Sequence, residues 1–587
     1  MADPAAPAEA TRQEPEPFRF RHLVVVPVAA WLVAALFVGL LGAWSVLART
    51  YYAPDEPQHV DMVLALIDEP RWPGVADRML GTRVADSLVP AGFSDTGSPF
   101  ERNREAVTTE DAIPRGQRPA YADFGADEPT EWINAVPQHP PLYYAVGAVA
   151  LWAAPGHEHW AFDRVVGFLR LLNIVIVAPL PLLAYAGARR LTGPAVGVAA
   201  AAGAGHSRDG VAAAAGAGHS RVALAAPVAL LGVPQLTHIG STVNNDNLLI
   251  TLVGLLTVLL VYVATGDTTR RTALVVGVVG ALALLTKGFA LFLPLWIASA
   301  YVLAWARRGL PAWRPPLVAA VVALAVAGVG GGWWWLRNVV VYRTIQPTPG
   351  PLPAAEAGFE PRFVEWLEPA WSFLVARYWG SFGWVDISLH PLYIDRAAWT
   401  LGILLALGFV FRRAADRWWR ADLVLLILPT VLILVIAMYG SWSTYTYAGR
   451  ITGMQGRYLF PGVVGLAIVV AVGLGSVLRG RLGGLGALLL LGAAARFQYL
   501  AAVVVLYWYY GDRDAPSLRA SIEAMLAWQP WPPALVWVGL GLAGAAAVAS
   551  GVALLVTAVQ AWRYGAVPAA ERAASTPAAD SMRSTSR

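Results

Sequence analysis

The feature that most constrains this chain is the grouping of its apolar residues into separate blocks of about 15 to 25, each long enough or nearly so to cross a ~30 Å hydrocarbon layer as a helix. Hydrophobic residues occupy 57% of the 587 positions and charged residues only 14%, whereas a soluble domain carries about 25% charged residues. The sequence therefore predicts an all-α membrane protein with many spans, and it excludes a water-soluble globule.

The positions of the arginines predict the topology of these spans. Short arginine-rich loops face the cytoplasm, and such loops occur at 270–271, 307–308, 412–420 and 479–481. We obtain about twelve spans with both chain ends inside. The predicted divisions are disordered cytoplasmic tails at 1–22 and 561–587 and a transmembrane module at 23–560. Because the basic residues serve topology, the net charge of +5 does not indicate a nucleic-acid partner.

One polar segment, residues 51–140, is too long to be a simple connector. It contains sixteen Asp or Glu residues against seven Arg, which suits the external side. Long loops between spans usually carry function, so we expect short helices at the membrane surface here. Residues 338–395 and 440–457 are predicted to form further external loops. The sequence thus predicts that any active site faces outwards, which in a bacterial inner membrane is the periplasm.

The motif PDEPQH at 54–59 directly follows the first predicted span. It places the carboxylates of Asp55 and Glu56 side by side at the membrane boundary, with His59 four residues after Asp55. A carboxylate there can take a proton from a sugar hydroxyl and so activate it for attack. The same pattern is also typical of a helix start with an acidic first turn. The motif alone does not decide between these two interpretations.

Four further motifs fall on the predicted external side. They supply His139 and Tyr143 from HPPLYY, Asn245 and Asp246 from NND, Lys287 from LLTKGF, and Arg457 and Tyr458 from QGRYLFP. Lys287 is the only lysine among 43 basic residues, and Lys and Arg both suit a phosphate group. Each motif also has a plain alternative as an interfacial anchor, a helix cap or a snorkelling cation. Because all five motifs fall on one side, we predict that they form one site.

Together these motifs resemble the GT-C superfamily of membrane glycosyltransferases that use polyprenyl-phosphate sugars. From about residue 50 to 465, the pattern is most similar to a bacterial membrane family of unknown function, number 2142, grouped with that superfamily. The resemblance implies a GT-C-like helical bundle and the role of general base for Asp55. It also implies that Glu56 and His59 support Asp55 or help to hold a metal, and that Lys287 and Arg457 contact phosphate.

The sequence therefore predicts an inverting transfer of a sugar from a polyprenyl-phosphate donor to a cell-envelope acceptor, as in cell-wall biogenesis. Asp55 and Glu56 are the predicted catalytic residues, and the other eight residues are predicted to bind substrate. The acceptor is a glycan, a lipid or a protein, and membrane lipids surround the chain. No spacing requires a cofactor, and a divalent cation stays open.

Two other functions remain open from the residues alone. A transporter or flippase for lipid-linked glycans needs polar or broken-helix sites near the midplane and paired halves. A polysaccharide polymerase or ligase would share most of the chemistry of a glycosyltransferase, since it also acts on lipid-linked sugar.

Two local features do not fit the regular pattern of spans. The segment 198–208 recurs unchanged at 211–221, and Arg496 lies within the apolar run from Leu485 to Tyr507. An intramembrane arginine indicates function by default, unless the helix breaks at that position. Heavy use of Ala, Gly, Pro and Arg indicates a genome of high GC content, as in actinobacteria.

Overall fold

The computed structural model describes residues 17–93, 106–193, 221–350, 352–410, 417–478, 480–512 and 516–564. These residues are mostly helical, with two small two-stranded sheets. The tandem repeat apart from Arg221, most of both predicted tails, and three predicted loop arginines (Arg412, Arg413 and Arg479) lie outside the described residues.

The elements follow one another along the chain as short and long helices with few strands. The first half contains α1 (Arg21–Val24), α2 (Val28–Leu47), α3 (Glu56–Asp68), β1 (Met79–Gly81), α4 (Thr82–Ser87), β2 (Pro129–Ile133), α5 (Leu142–Trp152), α6 (Phe162–Val177), α7 (Leu180–Thr192), α8 (Ala225–Leu231), α9 (Pro234–Gly240), α10 (Asp246–Ala264) and α11 (Arg270–Leu284). The second half contains α12 (Leu293–Arg308), α13 (Arg314–Ala327), α14 (Trp333–Tyr342), α15 (Phe363–Trp379), β3 (Ser381–Phe382), β4 (Ile387–Ser388), α16 (Pro391–Val410), α17 (Trp419–Ala448), α18 (Val463–Val477), α19 (Leu485–Tyr510), α20 (Leu518–Trp528) and α21 (Pro533–Tyr564).

Ten helical segments of the described chain are long and apolar enough to cross a membrane, and the number rises to eleven if one bent pair is a single span. That pair, Arg221–Leu231 with Pro234–Gly240, bends by 69°, because Pro234 lacks the N–H that would continue the first helix. The prediction of an all-α, polytopic membrane protein is confirmed, with ten or eleven spans against roughly twelve expected.

The described residues between α2 and α5, which are 48–93 and 106–141, form a layer at one end of the bundle. Strand β1 pairs antiparallel with β2, and Asp61 of α3 fastens this ribbon to the bundle. The Asp61 carboxylate accepts from Arg78 Nε at 2.7 Å and Nη2 at 2.5 Å, from Asn134 at 2.7 Å and from the backbone N–H of Gly81 at 3.0 Å. The short helices expected in this segment are present as α3 and α4.

The helix that contains Arg496 is unbroken. Helix α19 runs from Leu485 to Tyr510 through Arg496 without interruption. The interpretation of this arginine as the mark of a helix break is therefore wrong, and the arginine is part of a continuous apolar helix.

Candidate active site

Asp55 lies at the start of α3 in an unusual backbone conformation. Its φ of +62° is in the left-handed region, which costs a non-glycine residue about 1–2 kcal/mol. Surrounding contacts maintain this turn, because Glu56 accepts hydrogen bonds from the backbone N–H groups of Tyr51 and Val243, each at 3.0 Å. Strained residues of this kind concentrate at functional sites. The turn leaves the Asp55 side chain 48% exposed.

Glu56 occupies a different environment from its neighbour. It is fully buried and forms a bidentate ion pair with Arg170 of α6, at 2.8 and 2.7 Å. Arg170 also donates to the carbonyls of Ser45 and Ala48, which satisfies acceptors left free at the end of α2. A carboxylate enclosed in this way has no path to a substrate proton. This enclosure does not favour the catalytic role predicted for Glu56, which stays a prediction, and the hydrogen bonds of Glu56 hold the turn that carries Asp55.

A polar cavity of about 230 Å³ lies beside Asp55. Seven of the ten predicted site residues line it: Asp55, His59, His139, Asn245, Lys287, Arg457 and Tyr458. These residues come from all five motifs, and Arg457 is 402 positions from Asp55 in the sequence. The fold thus brings all five motifs to one cavity at one end of the bundle. We call this end the site end.

Alternating charges run along one wall of the cavity. Lys287 Nζ donates to Asp246 Oδ1 at 2.6 Å, and Asp246 Oδ2 lies 3.4 Å from Arg457 Nε. Arg457 Nη2 then donates to Asp55 Oδ2 at 2.8 Å. The side chains of Lys287, Asp246 and Arg457 are 8% exposed or less, so Asp55 is the only member of this row that is open to solvent.

Several buried polar atoms at this wall have no hydrogen-bond partner in the described structure. They are Nε and Nη1 of Arg457, Nδ2 of Asn245, Nδ1 of His139, Oε1 of Gln58 and Oδ2 of Asp246. A buried polar group without a partner costs roughly 1–3 kcal/mol, so a cluster of them indicates a position for a ligand. The two Arg457 nitrogens and the Asn245 amide are donors, which suits an anion with several oxygen acceptors.

The two histidines of the cavity are uncharged at neutral pH. His59 Nδ1 and the Tyr144 hydroxyl are hydrogen-bonded at 2.9 Å. Burial, helped by the positive charges of Lys287 and Arg457, lowers the pKa of His59 to about 3. Burial and the charge of Lys287 likewise hold the pKa of His139 well below its ordinary value. Both rings therefore act as neutral hydrogen-bonding groups.

Gly456 permits the position of Arg457. Residues Gly456–Gly462 form a 3₁₀ segment that packs against the end of α15. A Cβ atom at Gly456 would lie 2.1 Å from the backbone nitrogen of Tyr378, which no side chain tolerates. Only glycine allows this close approach, and the approach seats Arg457 in the cavity wall.

Sequence reasoning missed some residues and misplaced another. Tyr143 lies behind the cavity, where its hydroxyl donates to Asn173 at 3.1 Å, and Tyr144 takes the position beside His59. Arg170 was missed, although an arginine inside an apolar helix is a recognisable signal. The missed amides Gln58, Gln138 and Gln346 also line the cavity, and nothing in the local sequence of these glutamines distinguishes them.

Metal ligation was left open by the sequence. In the part of the chain that the structure describes, no group of three His, Cys, Asp or Glu side chains is arranged to hold a metal ion. Asp55 and Asp246 each contact a cationic side chain instead.

The fold and the cavity define a polytopic membrane protein with a polar site at one end of its bundle. Residues 211–466 match the model of a family described as a predicted membrane protein, DUF2142. This match confirms the resemblance to that family over this part of the chain. No curated protein matches the chain in sequence.

Among solved structures, the chain is similar to the crystal structure of ArnT from Cupriavidus metallidurans bound to undecaprenyl phosphate. The alignment covers 91% of this chain and 78% of ArnT, at 15% sequence identity and a TM-score of 0.41. A likeness of this size does not bear on activity.

Proposed function

We propose that the protein is an inverting glycosyltransferase that moves a sugar from a polyprenyl-phosphate donor to a hydroxyl of a cell-envelope acceptor. One observation carries this proposal. A solvent-accessible carboxylate, Asp55, contacts Arg457, and buried donors on Arg457 and Asn245 have no hydrogen-bond partner among the described residues. The carboxylate supports proton removal, and the donors support binding of an anion.

The phosphate of the donor is the anion that we assign to these groups. Arg457 can offer two nitrogens to a phosphate, and Lys287 adds a point charge beside them. In the free site, two carboxylates balance these two cations. When the bond between the sugar and the phosphate breaks, the phosphate gains a further negative charge, and fixed cations in a buried wall stabilise that charge strongly.

The reaction is a single displacement at the anomeric carbon. Asp55 accepts the proton of the acceptor hydroxyl while the oxygen of that hydroxyl bonds to the anomeric carbon. The bond from that carbon to the phosphate oxygen breaks, and its electron pair leaves on polyprenyl phosphate. Asp55 is the only carboxylate among the described residues that line the cavity, and a single base without a second carboxylate as nucleophile favours inversion of configuration. His59, His139 and Tyr458 are proposed to hydrogen-bond or stack against the sugar.

A transport function would need its polar site near the middle of the membrane. The cavity instead lies at the site end, where α2 turns into α3. A polymerase or ligase acting on a lipid-linked glycan would use the same chemistry, and it differs only in the acceptor.

The purified chain in lipid nanodiscs, given synthetic polyprenyl-phosphate sugars and a panel of acceptors, tests the proposal. We expect release of polyprenyl phosphate together with a glycosylated acceptor. Arg457→Gln should weaken donor binding by about 10-fold to 100-fold, in line with about 1.5–3 kcal/mol for a hydrogen bond to a charged group. Movement of intact donor across the bilayer without bond cleavage would contradict a transferase and support transport.

Lys287 gives the activity a predicted dependence on pH. Burial lowers the pKa of Lys287, although Asp246 opposes the shift. The ammonium therefore loses its charge at a lower pH than an ordinary lysine, and kcat/KM should fall as the pH rises through that value. Lys287→Arg keeps its charge at every working pH, so its alkaline decline should move to higher pH. Profiles of kcat/KM from about pH 6 to 10 check this, and identical alkaline limbs would contradict it.

The proposed external position of the site has a direct test, because the natural chain contains no cysteine. A single cysteine in place of exposed Glu128, in the layer at the site end, should react with a membrane-impermeant maleimide in intact cells. A single cysteine in place of exposed Arg271 should react only after the membrane is permeabilised. The opposite labelling pattern would place the cavity in the cytoplasm, where the proposed acceptors are absent.

A further inference from the structure

A second large cavity lies among the membrane-spanning helices, apart from the polar site. It measures about 600 Å³ and is bounded by α8, α16, α18, α19 and the end of α15. Its walls are almost wholly apolar, as at Leu401, Ala467 and Leu490, yet Arg396 of α16 and Arg496 of α19 also line it. We call it the arginine groove. It shares no lining residue with the polar cavity.

Both arginines of the groove lie at a similar depth below the site end. Helix α16 begins at Pro391, five residues before Arg396, which is about 8 Å along a helix. On α19, Gln498 accepts a hydrogen bond from Trp44 at 2.8 Å, and Trp44 lies three residues before the end of α2. Arg496 is two residues deeper than Gln498, so it also lies about 8 Å below the end of α2.

The same end of both helices lies at the residues before Asp55, since Tyr509 near the end of α19 donates to the carbonyl of Tyr52 at 3.4 Å. The loop that precedes α16 contacts these residues, since Trp384 donates to the carbonyl of Tyr51 at 2.9 Å. The two arginines therefore lie in the membrane leaflet on the side of the active site. At this depth a guanidinium can extend along its apolar stem towards the lipid headgroups.

Neither guanidinium contacts a partner within the described parts of the chain. No hydrogen bond or ion pair of the Arg396 or Arg496 side chain occurs within the described residues, and both residues are exposed. A charged side chain within a membrane span is costly, and such residues usually pair with an opposite charge. The apolar walls below the two arginines suit a hydrocarbon chain. From the site end inwards, the groove thus presents two cations and then an apolar surface. An anionic lipid presents its phosphate and its acyl chains in the same order.

We propose that the arginine groove binds one anionic glycerophospholipid of the site-side leaflet, with its phosphate at Arg396 and Arg496 and an acyl chain between α16 and α19. Basic pockets between spans recognise anionic headgroups in this manner. The sugar donor is a different lipid, because its phosphate has to reach Arg457, and the end of α15 at Tyr378 separates the groove from the segment that carries Arg457. This lipid fills the space between two spans and does not take part in the transfer reaction.

Native mass spectrometry of the delipidated full chain, titrated with phosphatidylglycerol or with phosphatidylcholine of the same acyl chains, tests this proposal. We expect the wild type to bind one phosphatidylglycerol at least about tenfold more tightly than phosphatidylcholine, a difference of about 1.4 kcal/mol. Arg396→Gln with Arg496→Gln should remove this preference. Arg270→Gln with Arg271→Gln, which removes two exposed arginines elsewhere on the membrane surface, should keep it.

Two further variants separate lipid binding from folding. Leu401→Trp should weaken phosphatidylglycerol binding by filling the groove while both arginines stay in place. Arg496→Lys keeps the positive charge and should keep the preference for phosphatidylglycerol. This result would show that the double glutamine variant loses the preference because it lacks the charge and not because it is unfolded.

Equal affinities of the wild type and the double glutamine variant for phosphatidylglycerol would overturn the proposal. So would one-for-one displacement of phosphatidylglycerol by polyprenyl phosphate, since the groove would then serve the carrier lipid. Asp55→Asn should bind phosphatidylglycerol like the wild type, whatever its transfer activity.

Discussion

Asp55→Asn should lower kcat for sugar transfer by about 10²-fold to 10⁴-fold, the usual contribution of a general base. The amide has the size of the carboxylate but cannot accept the proton of the acceptor hydroxyl. Donor affinity should be unchanged or higher, because the substitution removes the negative charge that Arg457 Nη2 now contacts at 2.8 Å. Release of polyprenyl phosphate measures the first effect, and equilibrium binding of a labelled donor measures the second.

The matched control for this result is Asp86→Asn. Asp86 is an exposed aspartate in α4, and it does not line the polar cavity. Its substitution should leave both kcat and donor affinity as in the wild type. An Asp55→Asn variant that keeps more than half of the wild-type turnover would rule out Asp55 as the base and with it the proposed mechanism.

Glu56→Gln should lower the free energy of unfolding by about 3–5 kcal/mol, because it leaves the buried Arg170 without its counter-charge. The side chains of Glu56 and Arg170 are 0% and 3% exposed, so solvent cannot replace the lost partner. Equilibrium unfolding in mixed detergent micelles measures the loss. Glu131→Gln, at an exposed position of β2, is the control and should change stability by less than about 0.5 kcal/mol.

A double-mutant cycle distinguishes this structural role from a catalytic one. Glu56→Gln with Arg170→Gln should cost less than the sum of the two single changes, since the double variant leaves no unpaired charge in the core. Variants of Glu56 that remain folded should keep most of their turnover per molecule. Loss of turnover with no loss of stability would restore Glu56 to the catalytic role that the sequence predicted.

Much of the site could be predicted because its motifs are local and its topology follows a simple rule. Each motif is a short run of polar residues at the end of an apolar block, and arginine-rich loops determine which ends share a side. This reasoning was sufficient to select Asp55, His59, Lys287 and Arg457, which the fold brings to one cavity. It could not select Gln346, since a glutamine in an irregular loop has no distinctive pattern.

The sequence by itself determined that this is a helical membrane protein with its polar motifs at one end, because hydropathy and loop charge are properties of consecutive residues. Only the tertiary structure separated Asp55 from Glu56. Their environments depend on a left-handed turn that exposes the first carboxylate, and on two arginines distant in sequence, of which Arg170 pairs with Glu56 and Arg457 contacts Asp55. Adjacent residues of the same chemistry differ only in which partners surround them, and no local pattern records those partners.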